Sequence, residues 1–299
     1  MAAPIPNATL ATPAPPLRPS LVNGRRLRTE RLGRGLRLWV PAGVLILLLA
    51  VCFLLPLVVT LPSSTNGDII DNNEPPFSPG HLLGTNVQGV DIFSQLVYGG
   101  QVAFEIGVAV TVIGFAIGGA IGVVAAYFGG WVDAVLSRVL DILLAFPALV
   151  LALVVAEGLG PTEFHVILAL SVFGIPAIGR ITRGATLAMR GLPYMTAATL
   201  SGTRAWRVIA RHVLPNIMPG IVTFSLLGIG VVIILEGALD FLGYGIPAPK
   251  ASWGNMISNG QQVLTAQPEY VLIPSIALLV TVVALNTLGD ALRERWGVQ

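Results

Sequence analysis

Charge is scarce in this chain. Only 11% of its 299 residues are Asp, Glu, Lys or Arg, against about 25% in a soluble domain. Hydrophobic residues reach 54% and the mean hydropathy is +0.81. That balance excludes an ordinary soluble globule and indicates a polytopic membrane protein. Lysine is scarcer still, because all basic residues but Lys250 are arginine. Lys250 follows Pro249 instead of a glycine run, so the chain lacks a phosphate-cradling loop and cannot hydrolyse ATP by that route. The lone cysteine, Cys52, sits in an apolar run and excludes an intrachain disulfide or thiolate cluster. His81, His165 and His212 lie far apart without helical metal-ligand spacing, so no metal or other cofactor is expected on this chain. An intramembrane hydrolase would need a serine and a histidine at matching depth. The one candidate, Ser201-Gly202, falls in a segment placed outside the bilayer. The net charge of +2 and pI near 9.0 suit nucleic acid superficially. The positions of the arginines explain them better, and no nucleic-acid partner is expected.

Residues 1–38 read as a cytosolic tail, rich in Pro and Ala and then in Arg, largely disordered. The apolar run 39–61 exceeds the about 7–15 residues of a signal-peptide core and reaches the about 20 needed to span a bilayer. Residues 62–101 carry Asp68, Asp71, Glu74 and Asp91 and no Lys or Arg, which fits an extracytoplasmic segment. Asp91 is placed to cap a short helix with Ile92, Phe93, Leu96 and Val97 on one face. Five further spans are expected near 102–126, 139–156, 164–182, 217–239 and 271–289, within a core of 102–290 and ahead of a cytosolic tail at 291–299. With both termini inside, every basic residue except Lys250 falls in or beside a cytosolic segment, which sets the orientation.

The second span carries Gly107, Gly114, Gly118 and Gly122, the last three forming two overlapping small-xxx-small pairs that suit close helix packing, static or moving. Pro147 and Pro176 interrupt the third and fourth spans. Among the charges in or beside spans, Arg138 stands three residues before Asp141 and is expected to neutralise it. Glu105 and Glu236 are placed near outer ends, where water is close; with Arg180, they complete the set.

The stretch 194–216, YMTAATLSGTRAWRVIARHVLPN, is a polar island between two apolar runs. Pro193 suits a first helical turn, Gly202 breaks the pattern, and 203–212 resumes it. There Arg204, Arg207 and Arg211 fall within about 60° of one another, opposite Ala205, Trp206 and Ile209. Two short helices at 193–212, ended by Leu214-Pro215-Asn216, are expected. By itself the stretch fits either an amphipathic element on lipid headgroups or a protein-docking element.

Several strings together resemble the inner-membrane permease subunit of binding-protein-dependent ABC importers, nearest its dipeptide/oligopeptide C-type branch. The island resembles that family's "EAA" loop, with Thr196-Ala197-Ala198, Gly202 and Leu214-Pro215 in the expected places and HVLPN at 212–216. HLLGT at 81–85, EGALDFLGYG at 236–245, Ser252-Trp253-Gly254 and NTLGDALR at 286–293 follow in order. The resemblance implies an all-α polytopic membrane protein of six transmembrane helices with the type I ABC importer (MetI-like) permease fold, in a bacterial plasma membrane. It implies a non-catalytic subunit supplying half of a peptide pathway. Its partners would be a B-type permease, ABC ATPase subunits holding ATP and magnesium, a solute-binding protein and lipid. Nickel chelates, haem or opine-like cargo, and outside transport a membrane scaffold, stay open. Coupling to the ATPase is implied for Tyr194, Thr196, Ala197, Ala198, Gly202, Arg204, Arg207, Arg211, His212 and Pro215. The side facing the binding protein is implied for Asn86, Val90, Asp91, Gln101, Glu236, Asp240 and Trp253. Thr196 stands where the family has an acid, Asn86 where it has Asp, and Val90 and Gln101 where Arg is usual. A neutral network in place of an ion-pair network is therefore expected at the outer mouth.

Overall fold

The computed structural model describes residues 24–160 and 162–297, with side chains from residue 36 onward. The chain divides into Met1–Leu36 and Arg37–Gln299. The disorder expected for the first twenty residues lies outside the described residues. From Gly24 the arginine-rich run is already helical, so α1 (Gly24–Leu49) starts well before the apolar run. It passes through a π-helical segment, Ala50–Leu54, into α2 (Leu55–Val58). Pro56 explains the local widening: it has no N–H to return to the Cys52 carbonyl one turn back. Gln101 Nε2 donates to that oxygen at 2.6 Å.

Asp91 caps a helix as expected, accepting the Ser94 N–H at 2.7 Å. The helix is not short, however. It is the start of α3 (Ile92–Ile113), which continues through a π-helical segment, Gly114–Gly118, into α4 (Gly119–Phe128). Nothing after Val97 breaks the hydrogen-bond ladder, so cap and second span are one element. After a turn at Gly129 come α5 (Gly130–Leu144) and α6 (Ala148–Leu159), bent by 86° where Pro147 interrupts the run. The expected third span is thus a broken pair. α7 (Glu163–Arg190) carries Pro176 without a break. Next come α8 (Pro193–Leu200) and α9 (Ala205–Val208), then a π-helical segment, Ile209–Val213, and α10 (Leu214–Phe241). α11 (Trp253–Gly260) and α12 (Glu269–Trp296) complete the order. Among the described residues, five helical runs are long and apolar enough to cross a membrane, and the bent pair makes a sixth when counted as one span.

The glycine pattern of the second span has a definite partner. Gly118 lies against the Ile175 carbonyl and Gly122 against the Gly179 carbonyl of α7, so close that an added Cβ would overlap either oxygen. Gly114 meets Gly174 in the same way, at 3.0 Å from its carbonyl oxygen to the built Cβ. Backbone thus packs on backbone over two turns. Asp133 and Arg183 fasten the α5–α7 contact with two hydrogen bonds, of 2.6 and 2.7 Å. Asp141 pairs with Arg180 on α7 at 2.7 Å, and not with Arg138. Arg138, three residues before Asp141 on the same helix, is exposed.

Candidate functional site

The island at 193–216 is held by residues that the arginine pattern hides. Met195, Val208, Val213 and Ile217 are buried, and with Ile178, Val123 and Ile221 they form one apolar cluster. Trp206, assigned from sequence to the packed face, is 60% exposed. Trp206 stands two residues, about 200° of α-helix, from buried Val208 and so faces away from the cluster; a π-helical segment follows. Its extra residue puts Val213, five after Val208, on the buried face where an α-helix would put His212. Pro215 sets that segment just as Pro56 does in the first span, since it offers no N–H to Arg211. The helix therefore does not end at Leu214-Pro215-Asn216. α9 runs through it into α10, and Asn216 Nδ2 donates to the His212 carbonyl at 2.7 Å. Only α8 is a separate short helix.

Gly202 closes α8 with a Schellman turn. Its φ is +74°, its N–H bonds the Thr199 carbonyl, and the Thr203 N–H reaches back to Ala198. That geometry needs a left-handed residue, which is why glycine stands there. Beside this turn Thr196, Ala197, Gly202, Arg204, Arg207, Arg211 and Pro215 are exposed, with Ala198 and His212 half-buried. The ring of Tyr194 lies 6.3 Å from that of His212, joining α8 to the π-helical segment. The Arg207 guanidinium lies 5.3 Å over the Trp206 ring. Leu200 is 83% exposed. The island therefore presents apolar and cationic groups together on a rigid base.

α10 carries the chain about 40 Å away from the island, at 1.5 Å per residue. At that end Asp91 and Asn86 organise the loop before α3. Asp91 Oδ1 is 2.9 Å from His81 Nδ1, and Oδ2 accepts from Ser94 Oγ at 2.8 Å. The His81–Asp91 pair ties HLLGT to the cap, a link that ten residues of separation concealed in the sequence. Asn86 Oδ1 accepts the Gln88 and Val90 N–H groups at 2.8 and 3.0 Å. Its Nδ2 donates to Gln95 Oε1 and the Tyr270 hydroxyl, both at 3.3 Å. Asn86 thus sits in a network of neutral hydrogen bonds, and Val90 beside it is buried.

Trp253 is also buried, with its Nε1 donating to the Leu96 carbonyl at 2.9 Å and its ring edge-on to Phe104. Glu236 and Asp240 are each 1% exposed, so Glu236 lies inside the bundle and not at its solvent-facing end. These buried residues frame the end of the bundle. Gln101 is half-buried against the first span. Nearby, Lys250 Nζ pairs with Glu163 Oε2 at 2.8 Å, and that carboxylate raises the lysine pKa.

Comparison with known proteins places these features. The family described as "Binding-protein-dependent transport system inner membrane component" matches residues 118–296. The glutathione transport system permease protein GsiD of Pectobacterium atrosepticum is 36% identical over 256 residues, covering 85% of each chain. The dipeptide transport system permease protein DppC of Alkalihalophilus pseudofirmus is 33% identical over 214 residues, 72% of this chain and 70% of its own. Among solved structures, an inward-facing MetNI methionine ABC transporter chain aligns with a TM-score of 0.56 at 18% identity. The alignment covers 68% of this chain and 97% of that one, and it shows a shared fold.

Proposed function

Because the chain belongs to the family of binding-protein-dependent transport system inner membrane components, we propose that it carries small peptides, from dipeptides to glutathione-like peptides, through half of an importer's pathway. It is a multi-pass, non-catalytic permease subunit of an ABC importer, which acts with an ATPase and a solute-binding protein. The finer assignments follow from where its surfaces lie. Arg180, Arg183, Arg190, Arg204, Arg207, Arg211 and Arg293 lie in or beside segments near the Gly202 end, which supports reading that end as the cytosolic one.

One observation carries the docking assignment: an exposed apolar and cationic face, including Leu200, Trp206 and Arg207, stands on a base anchored by four buried residues. A lipid-resting helix would turn its large apolar residues together toward the bilayer. Here α8 is closed by a fixed Schellman turn and braced through Tyr194 and His212. A rigid knob of this kind suits a groove in an ATPase subunit. Closure of two ATPases would displace it, and α10, continuous with its second half, would carry the shift to the far end of the bundle. A second, B-type permease supplies the other half of the pathway. ATP and magnesium belong to the ATPase subunits.

The test is reconstitution of this chain with an ATPase pair, a second permease and a solute-binding protein from its own genome. Uptake of dipeptides or glutathione into vesicles should require ATP, and ATPase activity should rise when loaded binding protein is added. A chain that co-purifies with none of these partners would be a scaffold and not an importer subunit.

The neutral network gives a second result to check. Asn86→Asp keeps the oxygen that accepts two backbone N–H groups, and a turned Gln95 amide supplies the donor that Asp lacks. Asn86→Asp should therefore keep uptake within about threefold, the effect of one modest hydrogen bond. A changed order of preference among peptides would show that the neutral groups select cargo.

A further inference from the structure

Glu236 and Asp240 lie one turn apart on α10, side chain against side chain, and each is 1% exposed. Glu236 Oε1 and Asp240 Oδ2 find no donor among the described residues. The ion pairs of the described side chains leave both acids out. Two ionised carboxylates so placed would repel each other and forgo hydration, with only the Ile246 N–H and the Ser252 hydroxyl beside Asp240 to offset that cost. A single proton removes both difficulties, turning one acid into the donor that the other lacks.

The remaining oxygen has a task. Asp240 Oδ1 accepts the Ile246 N–H, and the Ile246 carbonyl accepts from Asn255 Nδ2 at 2.7 Å. The loop is held again by the Gly243 and Tyr244 N–H groups, bonded to the Asp240 and Leu239 carbonyls at 3.0 and 2.9 Å. Gly245 and Gly254 press so close to Asp240 that a Cβ on either would overlap it, at 2.7 Å from Asp240 Cα and 2.5 Å from Asp240 Cβ respectively. The carboxyl is thus enclosed by the turn it supports. Residues 246–251 of that loop form one wall of a polar cavity of about 340 Å³, faced by Gln88, Gln95 and Tyr270.

We propose that Glu236 and Asp240 hold one proton between them, and that this carboxylic acid–carboxylate hydrogen bond latches the 242–252 loop onto the fifth span and sets the wall of that cavity. Both are positioning residues, acting through Ile246. The proton comes from water during folding and stays, since no cation replaces it. The inference deepens the importer reading and rests on it for one readout only, the uptake measurement.

The test uses the assembled permease complex in two arms. In the first, infrared difference spectra are taken between the unsubstituted protein and each of Glu236→Gln and Asp240→Asn. Both variants should lose one carboxylic-acid C=O band, because an amide then does the donating. In the second, uptake by Asp240→Asn should stay within about threefold, while Asp240→Ala, which strips the Ile246 N–H of its acceptor and strands Glu236, should fall at least about tenfold. Absence of any acid band removed by the amide variants overturns the proposal whatever happens to uptake. Asp240→Asn as inactive as Asp240→Ala overturns it too, because a negative charge would then be what the loop needs. Should the alanine variant fail to assemble, the infrared arm still decides on the two amides. A complex that shows the band but transports nothing would count against the importer reading alone.

Discussion

Gly202→Arg should reduce uptake to background while the subunit still inserts and still pairs with its partner permease. The two halves of that expectation come from different features of the same residue. At φ +74° an arginine is strained, by about 1–2 kcal/mol, too little to unfold a bundle of this size. Its side chain meets nothing, since no atom lies within 4 Å of the position a Cβ would take. The substitution therefore leaves the fold in place and adds a long cation to the exposed tip of the knob, beside Arg204. If the knob docks in an ATPase groove, that addition blocks seating and uncouples hydrolysis from transport. Gly202→Asn is the control, because asparagine tolerates the left-handed region and adds little bulk. It should retain most of the uptake. Transport that survives Gly202→Arg would show that this face touches nothing essential.

How much of this was open to the sequence depended on the length scale of the signal. Spans longer than about 20 residues are hard to miss in a chain with so little charge. The position of the island, its glycine hinge and the capping role of Asp91 were legible because each is set by residues a few positions apart. What the sequence hid was continuity. Asp91 begins a helix that does not stop, and the second half of the island is the beginning of the fifth span. Proline signalled a stop at 215 where it instead produced a π-helical turn, and that one extra residue put Val213 on the packed face where an α-helix would put His212. At Pro147 the same residue type did break the helix, by 86°. Local pattern cannot separate the outcomes, because they depend on whether a neighbouring donor such as Gln101 or Asn216 satisfies nearby carbonyls. Ion-pair partners were hidden for a similar reason. Asp141 chose Arg180, 39 positions away, over Arg138 on its own helix.

A hard constraint that the structure adds is at Gly122. There an added Cβ would overlap the Gly179 carbonyl oxygen and come within 2.8 Å of the Arg183 backbone nitrogen and 3.0 Å of Thr182 Cβ. All but the last belong to the main chain of α7 and cannot turn aside as a side chain can. Gly122→Leu should therefore pry α4 from α7 and pull Arg183 off Asp133, whose two short hydrogen bonds join α5 to the same face. The expected cost is at the upper end for overpacking, about 3 kcal/mol or more. It should appear as a lower unfolding temperature and loss of monodisperse protein in detergent. Gly119→Leu, three positions earlier on the same helix, is the matched control, since nothing lies within 4 Å of its Cβ position. The two substitutions add the same apolar volume to the same span, so hydrophobicity and insertion are held constant and only contact with α7 differs. Equal stability of the two variants would mean that the helices are not seated backbone to backbone in the membrane. A folded but inactive Gly122→Leu protein would mean that the seam gives way during the transport cycle, the moving alternative for a small-residue stripe.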